Sequence, residues 1–472
     1  MKVSRQDRGA SGTVRLSIVL PVLLGGISGC ILLPPPSTDE LRDEELAHSP
    51  PPEEWTAEGA SAGAVQDDWL ATFADGQLEE LVAEAIQYNA DLRTAAARAE
   101  QAAAYVRAAG GVLWPAVTGL ARGGGEMAGD NSGLEGWLIS ASWELDLWGR
   151  VRYSKRSAEE QYASTEADFV FARQSLAALV AKSWFLATEA SLQEELLASA
   201  VDAGAKLLDL ADQRLRVGIG NELDVASTRV TLQTYRDSLR QVQLAREQSL
   251  RALELLLGRY PGAEIGVPTV FGNLATEVPS GLPSELLERR PDIIAAEKRV
   301  AAAFSRVKEA QAARLPSISI TGGVSDLTCE MFVLEDRENP VWSAGGQILA
   351  PLFRGGALKA QVEIRTAEQK QAVAQYVQTA LKAFSDVENA LSSELALRQR
   401  EEILTAAVAD SERALELAQT RYRVGVGDLR SVQQQQVAYL NSKMNLLRVQ
   451  SEQRVQRVNL HLALGGNFTA DA

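Results

Sequence analysis

Apolar side chains recur along this chain with two different periods, and the places where the period changes mark out its elements. From Gln77 to Ala109 there is no glycine or proline, and Leu78, Leu81, Val82, Ala85, Ile86 and Leu92 fall at helical intervals. That spacing puts them on one side of a helix, so one amphipathic helix is predicted over the stretch. Gly110 and Gly111 stop it. The period then drops to two. Val112, Trp114, Ala116, Thr118 and Leu120 alternate with their neighbours, and after a glycine-rich run the alternation returns more cleanly. Trp137, Ile139, Ala141, Trp143, Leu145 and Leu147 then form one face, with Ser140, Ser142, Glu144 and Asp146 on the other. Two strands joined by a Gly-rich loop are predicted.

The same design follows later in the chain. Asp292 to Leu315 has helical spacing, Ser317, Ser319 and Thr321 alternate with Ile318, Ile320 and Gly322, and a loop from Asp326 to Pro340 leads to Trp342, Ala344, Ile348, Ala350 and Leu352. After each strand pair comes a long helical stretch. Residues 151–217 contain only Gly204 as a breaker, and residues 357–423 contain neither glycine nor proline. At ~1.5 Å per residue each reaches about 100 Å. No globular core is that wide, so these helices must pack lengthwise against one another. Return helices are expected over 222–257 and 428–464, with Asn221 and Asp428 at the N-cap positions and Asp224 and Ser431 three residues later.

The turns between outgoing and returning helices are nearly the same phrase, RLRVGIG at 214–220 and RYRVGVG at 421–427, offset by 207 residues. Leu255, Leu257 and Gly258 match Leu462, Leu464 and Gly465 at the same offset. Upstream, Asp91, Arg98, Val106, Ala109 and Pro115 match Asp292, Arg299, Val307, Ala310 and Pro316 at 201, and Trp137 and Leu147 match Trp342 and Leu352 at 205. This is an internal duplication whose period is too long for a solenoid, so each copy is a half-domain of several elements. The expected boundaries are a first repeat over 67–257 (helix, two strands, long helical hairpin), a Gly- and Pro-rich crossover over 258–283 with a short helix near Pro283 to Glu288, a second repeat over 284–466, and a tail over 467–472.

Composition narrows the picture. A net charge of −15 and a pI near 4.9 argue against a nucleic-acid partner. Lys2, Arg5, Arg8 and Arg15 precede a short apolar run that ends Ile27, Ser28, Gly29, Cys30. Residues 1–29 therefore read as a bacterial lipoprotein signal peptide, and Cys30 as the lipid anchor of the mature chain. Residues 30–66, with two proline triplets and almost no periodic apolar pattern, read as a semi-extended lipidated tether. Cys329 is then left as a lone thiol in a loop. No catalytic or metal-binding constellation stands out: His48 and His461 lie apart from any Cys or carboxylate set, and no phosphate-binding loop occurs. The chain is read as a non-enzyme without a cofactor beyond the lipid.

Four strands with one apolar and one polar face cannot be left open in a membrane, because their edge N–H and C=O groups would lack partners. Closing a barrel from them requires several chains, and polar residues on one face suit a water-filled lumen. A soluble β-sandwich edge is the competing reading of the strands. Here the residues also carry a resemblance. LPSELLERRPDIIAAEKRVAAAFSRVKEAQAARLPSISITGG at 282–323 resembles the signature of the TolC-type outer membrane efflux proteins, in the lipoprotein branch related to OprM and NodT. WLATFADGQLEELVAEAIQYNADL at 69–92, ELDLWGRVR at 144–152, RYRVGVGDLRSVQQQQ at 421–436 and NLHLALGG at 459–466 do so as well.

The resemblance implies an α+β membrane protein: a homotrimer whose chains each give four strands to a transmembrane β-barrel, continued by a long antiparallel α-helical barrel into the periplasm. It implies an exit duct of a tripartite efflux system, passively exporting small molecules delivered by an inner membrane pump, expected to be proton-driven, through a periplasmic adaptor (membrane fusion) protein. A duct for type I protein secretion, or a non-transporting lipid-anchored periplasmic coiled-coil scaffold, are the alternatives.

It also assigns the tips. Gly218, Gly220, Gly425 and Gly427 allow a tight helix reversal. The matched phrases Val217 to Gly220 and Val424 to Gly427 correspond to the groove that adaptor hairpins engage. The same tips close the tunnel in the family, and Arg421 and Tyr422 match that pattern. Asp224 keeps a carboxylate near the first tip, where it also suits the first turn of a helix. Beyond the second tip the chain departs from the family: Arg430, Ser431 and Gln434 stand where relatives often place an acidic ring or an apolar constriction. The gate candidates are thus Asp224, Arg421, Tyr422, Arg430 and Gln434.

Overall fold

A computed structural model describes residues 32–61, 63–65, 67–122, 135–272, 274, 278–328 and 340–469. Cys30 and Cys329 lie outside the described residues, as do the signal segment and residues 470–472. The elements in order are α1 (Thr38–Glu45), a 3-10 turn (Trp69–Phe73), α2 (Gly76–Tyr88), α3 (Ala90–Gly111), β1 (Ala116–Arg122), β2 (Glu135–Leu145), α4 (Arg150–Arg216), α5 (Glu222–Leu256), α6 (Leu286–Arg289), α7 (Pro291–Ala312), β3 (Ser317–Thr328), β4 (Val341–Leu349), α8 (Ala357–Arg423) and α9 (Leu429–Ala463). The two long helices, α4 and α8, have 67 residues each and the return helices 35 each. Their Ala, Leu, Glu, Gln and Arg content favours uninterrupted helix, and every hairpin is made twice. The chain divides into two compact units.

One unit comprises the described part of 1–36, Val106–Ala158 and Ala303–Glu368. It holds a four-stranded antiparallel sheet of order β1-β2-β3-β4, in which the last strand of the first half pairs with the first strand of the second. Directly paired residues share a face, so the register sorts the side chains. Val117 pairs with Ala141, Ile139 with Val324, Trp143 with Ile320, Ile318 with Ile348 and Val324 with Trp342. These build one apolar face across all four strands. Thr118 pairs with Ser140, Ser142 with Thr321, Glu144 with Ser319, Ser319 with Gln347 and Gly323 with Ser343, giving an opposite face of hydroxyls, an amide, a carboxylate and glycine, which turns apolar where Leu120 pairs with Leu138. Hydroxyl pairing across strands continues this face, as between Thr118 Oγ1 and Ser140 Oγ at 2.9 Å. Among the described residues the outer edges of β1 and β4 have no partner strand.

The strands stop short of the alternation at the end next to the helices, whereas β3 runs on to Thr328, so the loop expected from Asp326 begins later. Val112 and Trp114 lie in the turn before β1, Leu147 lies beyond β2, and Ala350 and Leu352 lie beyond β4. Pro115 and Pro351 offer no N–H to a ladder, which sets those limits on their side of the sheet.

The other unit comprises residues 37–105, 159–302 and the described part of 369–472. Its largest core cluster gathers Trp69, Phe73, Leu78, Val82, Trp184, Phe185, Leu250, Leu253 and Val458. Asp75 both caps α2, accepting from Gln77 and Leu78 N–H, and takes the buried Trp184 Nε1–H at 2.8 Å. A second cluster joins Ile293, Tyr376, Val387, Leu391 and Leu460.

Two expectations are corrected here. The helix predicted from Gln77 to Ala109 is two helices broken at Asn89, whose side chain donates to Leu256 O (2.9 Å) and accepts from Leu92 N–H (3.0 Å). The break recurs at Arg290, which donates to Ala463 O at 3.2 Å, so the duplication extends to this contact. The segment over 30–66 is not a bare extended tether. Ser37 caps α1 with a capping box, and Leu41, Leu46 and Trp55 are buried in the second cluster. Trp55 Nε1–H reaches the carbonyls of Ser280 and Gly281, both at 3.1 Å.

Candidate functional site at the hairpin tips

Both tips reverse by the same hydrogen-bond scheme. In the first, Gly218 N–H donates to Leu215 O at 3.1 Å, and Ile219 and Gly220 N–H donate to Arg214 O at 3.0 Å. In the second, Gly425 donates to Tyr422 O at 3.1 Å, and Val426 and Gly427 donate to Arg421 O at 3.0 and 3.1 Å. These are the two closing bonds of a Schellman cap with one further amide added.

The two glycines of each phrase have different duties. Gly218 and Gly425 take φ of +79° and +83° with open space around them. Gly220 and Gly427 are required by contact: a Cβ on Gly220 would sit 2.8 Å from Leu215 N, and one on Gly427 would sit 3.0 Å from both Arg421 Cβ and Tyr422 N.

The returning helices start on the predicted caps. Asn221 Oδ1 accepts from Asp224 N–H at 2.8 Å, and Asp428 Oδ1 accepts from Ser431 N–H at 2.6 Å. The Ser431 backbone N–H and then its hydroxyl hold the Asp428 carboxyl below its usual range, and Arg430 and Arg421 add to the effect.

This turn leaves Val217 and Val424 exposed, as the sequence reading of a docking groove requires. It also exposes Ile219, Leu223 and Val426, which that reading passed over. The signal was present, since the third position of Val-Gly-x-Gly is apolar in both copies.

Of the gate candidates, Arg421, Arg430 and Gln434 are exposed, and no hydrogen bond or ion pair joins their side chains among the described residues. Asp224 is half-buried and takes the Asn221 amide at 3.1 Å. Tyr422 is buried with Ala211, Val225, Leu415, Leu429 and Val432. Arg214 covers its ring, with Cζ 4.4 Å from the centroid, and donates to Tyr422 O at 3.4 Å. Gln433, not Gln434, links the two return helices, donating to Thr228 Oγ1 at 2.9 Å and Ser227 Oγ at 3.4 Å. Sequence reasoning missed Arg214 and Gln433. Arg214 was legible as the repeat partner of Arg421, whereas four successive glutamines gave nothing to single out Gln433.

Comparison with known proteins places this geometry. The family profile described as outer membrane efflux protein matches residues 81–259 and 282–466, one block in each half of the chain. The probable efflux pump outer membrane protein TtgC of Pseudomonas putida is 28% identical over 465 residues, covering 94% of this chain and 93% of the relative. Outer membrane protein OprJ of Pseudomonas aeruginosa is 31% identical over 441 residues, covering 90% and 92%. Among solved structures, the outer-membrane channel OprN superposes with a TM-score of 0.80 at 27% identity, over 89% of this chain and 98% of that one.

Proposed function

Because the chain belongs to the outer membrane efflux protein family, we propose that three copies close one twelve-stranded barrel in the outer membrane, continued by a helical tunnel into the periplasm, as the exit duct of a tripartite efflux assembly. The sheet carries this reading. It has one face that is apolar except at Asp326 opposite Trp137, an opposite face rich in hydroxyls and glycine, and outer edges on β1 and β4 that no described strand pairs. Such a sheet suits a wall between lipid and water once β4 of one copy pairs with β1 of the next.

The duct is passive. Small molecules enter from an inner membrane pump, expected to be proton-driven, through a periplasmic adaptor that docks on Val217, Gly218, Gly220, Val424, Gly425 and Gly427. The exposed apolar side chains at both tips support that contact. The name of TtgC, an efflux pump outer membrane protein, supports a pump-fed duct over a static scaffold.

A covalent lipid on Cys30 would add an anchor. Leu33 N–H donates to Tyr153 OH at 2.9 Å and Arg156 Nη1 reaches Leu33 O at 3.4 Å, so the chain just after Cys30 is held beside the first turns of α4.

Reconstitution in planar bilayers tests the proposal. The full chain is expected to give trimer-sized particles and a low conductance that rises when Arg214→Ser and Tyr422→Ala loosen the tips. A chain that stays monomeric and never conducts would refute it.

A further inference from the structure

The internal duplication predicts contacts that a single chain cannot show. If the halves alternate around one ring, a contact from the first half to the second within a chain must recur from the second half to the first half of the next copy. At the base of the sheet the intrachain contact is well defined. Trp148, just after β2, donates its Nε1–H to Pro316 O at 2.7 Å, beside Leu315. The repeat equivalents of Leu147, Trp148, Leu315 and Pro316 are Leu352, Phe353, Trp114 and Pro115, at the offsets of 205 and 201 that the sequence carries.

The exposures fall in pairs as this requires. Leu147 is 38% exposed and Leu352 95%; Trp148 is 47% exposed and Phe353 90%; Leu315 is 43% exposed and Trp114 75%. In each pair the residue at the seam inside the chain is the more covered, and its equivalent at the chain's outer edge is the more bare. The tips repeat the asymmetry: Tyr422 is buried under Arg214, whereas Leu215 and Arg421, their equivalents, are exposed.

We infer that Leu352 and Phe353, beyond β4, seat against Trp114 and Pro115 of a second copy of this chain, as the repeat image of the Trp148–Pro316 contact within it. The occupant is a second copy and not lipid, because the outer-edge side chains are the repeat images of residues that meet protein. The Phe353 side chain lacks the indole N–H of Trp148, so this seam is held by apolar packing where the intrachain one adds a side-chain hydrogen bond. The inference rests on the trimer reading and goes beyond it by naming the residues of the seam.

The test is oxidative cross-linking with copper-phenanthroline and dissolved oxygen in the full, reconstituted chain carrying Cys329→Ser. Phe353→Cys with Pro115→Cys is expected to move monomer into chain-to-chain linked dimers and trimers on non-reducing gels. Trp148→Cys with Pro316→Cys is expected to link only within a chain. Trp114→Cys with Phe353→Cys serves as a second pair should the proline variant fold poorly. If native mass shows a trimer and the control pair closes, but neither outer pair links chains, the seam is refuted, the trimer reading stands, and Leu352 and Phe353 face lipid. A monomeric native mass refutes both.

Discussion

Replacing Gly427 by alanine is expected to loosen the second tip more than replacing Gly425, although Gly425 is the residue with positive φ. Alanine at position 425 would meet no atom within 4 Å and costs only the left-handed conformation, about 1 kcal/mol. Alanine at position 427 would place its Cβ 3.0 Å from Arg421 Cβ and Tyr422 N and 3.1 Å from Arg421 C. Those are atoms of the helix end itself, so the cap must open, and the amides of Val426 and Gly427 lose Arg421 O. Two backbone hydrogen bonds at ~1 kcal/mol each, with the contact relieved only by backbone movement, give about 2–3 kcal/mol. Hydrogen exchange of tip peptides in the assembled protein reads this directly, as a rise in opening of about 30- to 150-fold for Gly427→Ala against about 5-fold for Gly425→Ala. Gly220→Ala is expected to behave like Gly427→Ala at the first tip. Equal effects at 425 and 427, or a larger one at 425, would refute the division of roles between the glycines.

Further outcomes follow from the same geometry. Arg214→Met with Tyr422→Leu in a double-mutant cycle is expected to show a coupling of about 1 kcal/mol in tip protection, from a partly desolvated cation-π contact. His461 is buried and stacked on Trp69, with ring centroids 5.8 Å apart and neither ring nitrogen hydrogen-bonded among the described residues. Burial, and then Arg457, push its pKa down to about 3. The folded state therefore holds it neutral, so its contribution is complete above the ordinary value near 6.5 and is lost as pH falls toward about 3. His461→Phe is expected to leave Tm near neutral pH almost unchanged and to flatten its decline across that window; an unchanged decline in thermal melts would count against it. Cys30→Ser is expected to abolish metabolic labelling with palmitate, and retained label would place the anchor elsewhere.

Much of this was legible because long elements advertise their period. The 67-residue helices, the paired tips and the apolar face from Trp137 to Leu145 all follow from spacing alone. What failed was decided by single side chains. Nothing in composition marks Asn89 as a break, because the break depends on a carbonyl at Leu256 that only the fold brings near. Leu41, Leu46 and Trp55 are too far apart to show a period, yet each fills part of a core built by later residues. Tyr422 stood out as a gate residue from its motif, but its burial beneath Arg214 is a contact across some 200 residues that no local pattern encodes.

The central claim is that the sheet divides water from lipid, and cysteine scanning along β2 tests it most directly. In Cys329→Ser protein reconstituted in liposomes, a membrane-impermeant charged thiol reagent is expected to label cysteines placed at Leu138, Ser140 and Ser142. It is expected to spare those at Ile139, Ala141 and Trp143. Labelling of both sets alike, or of the second set alone, would contradict the account.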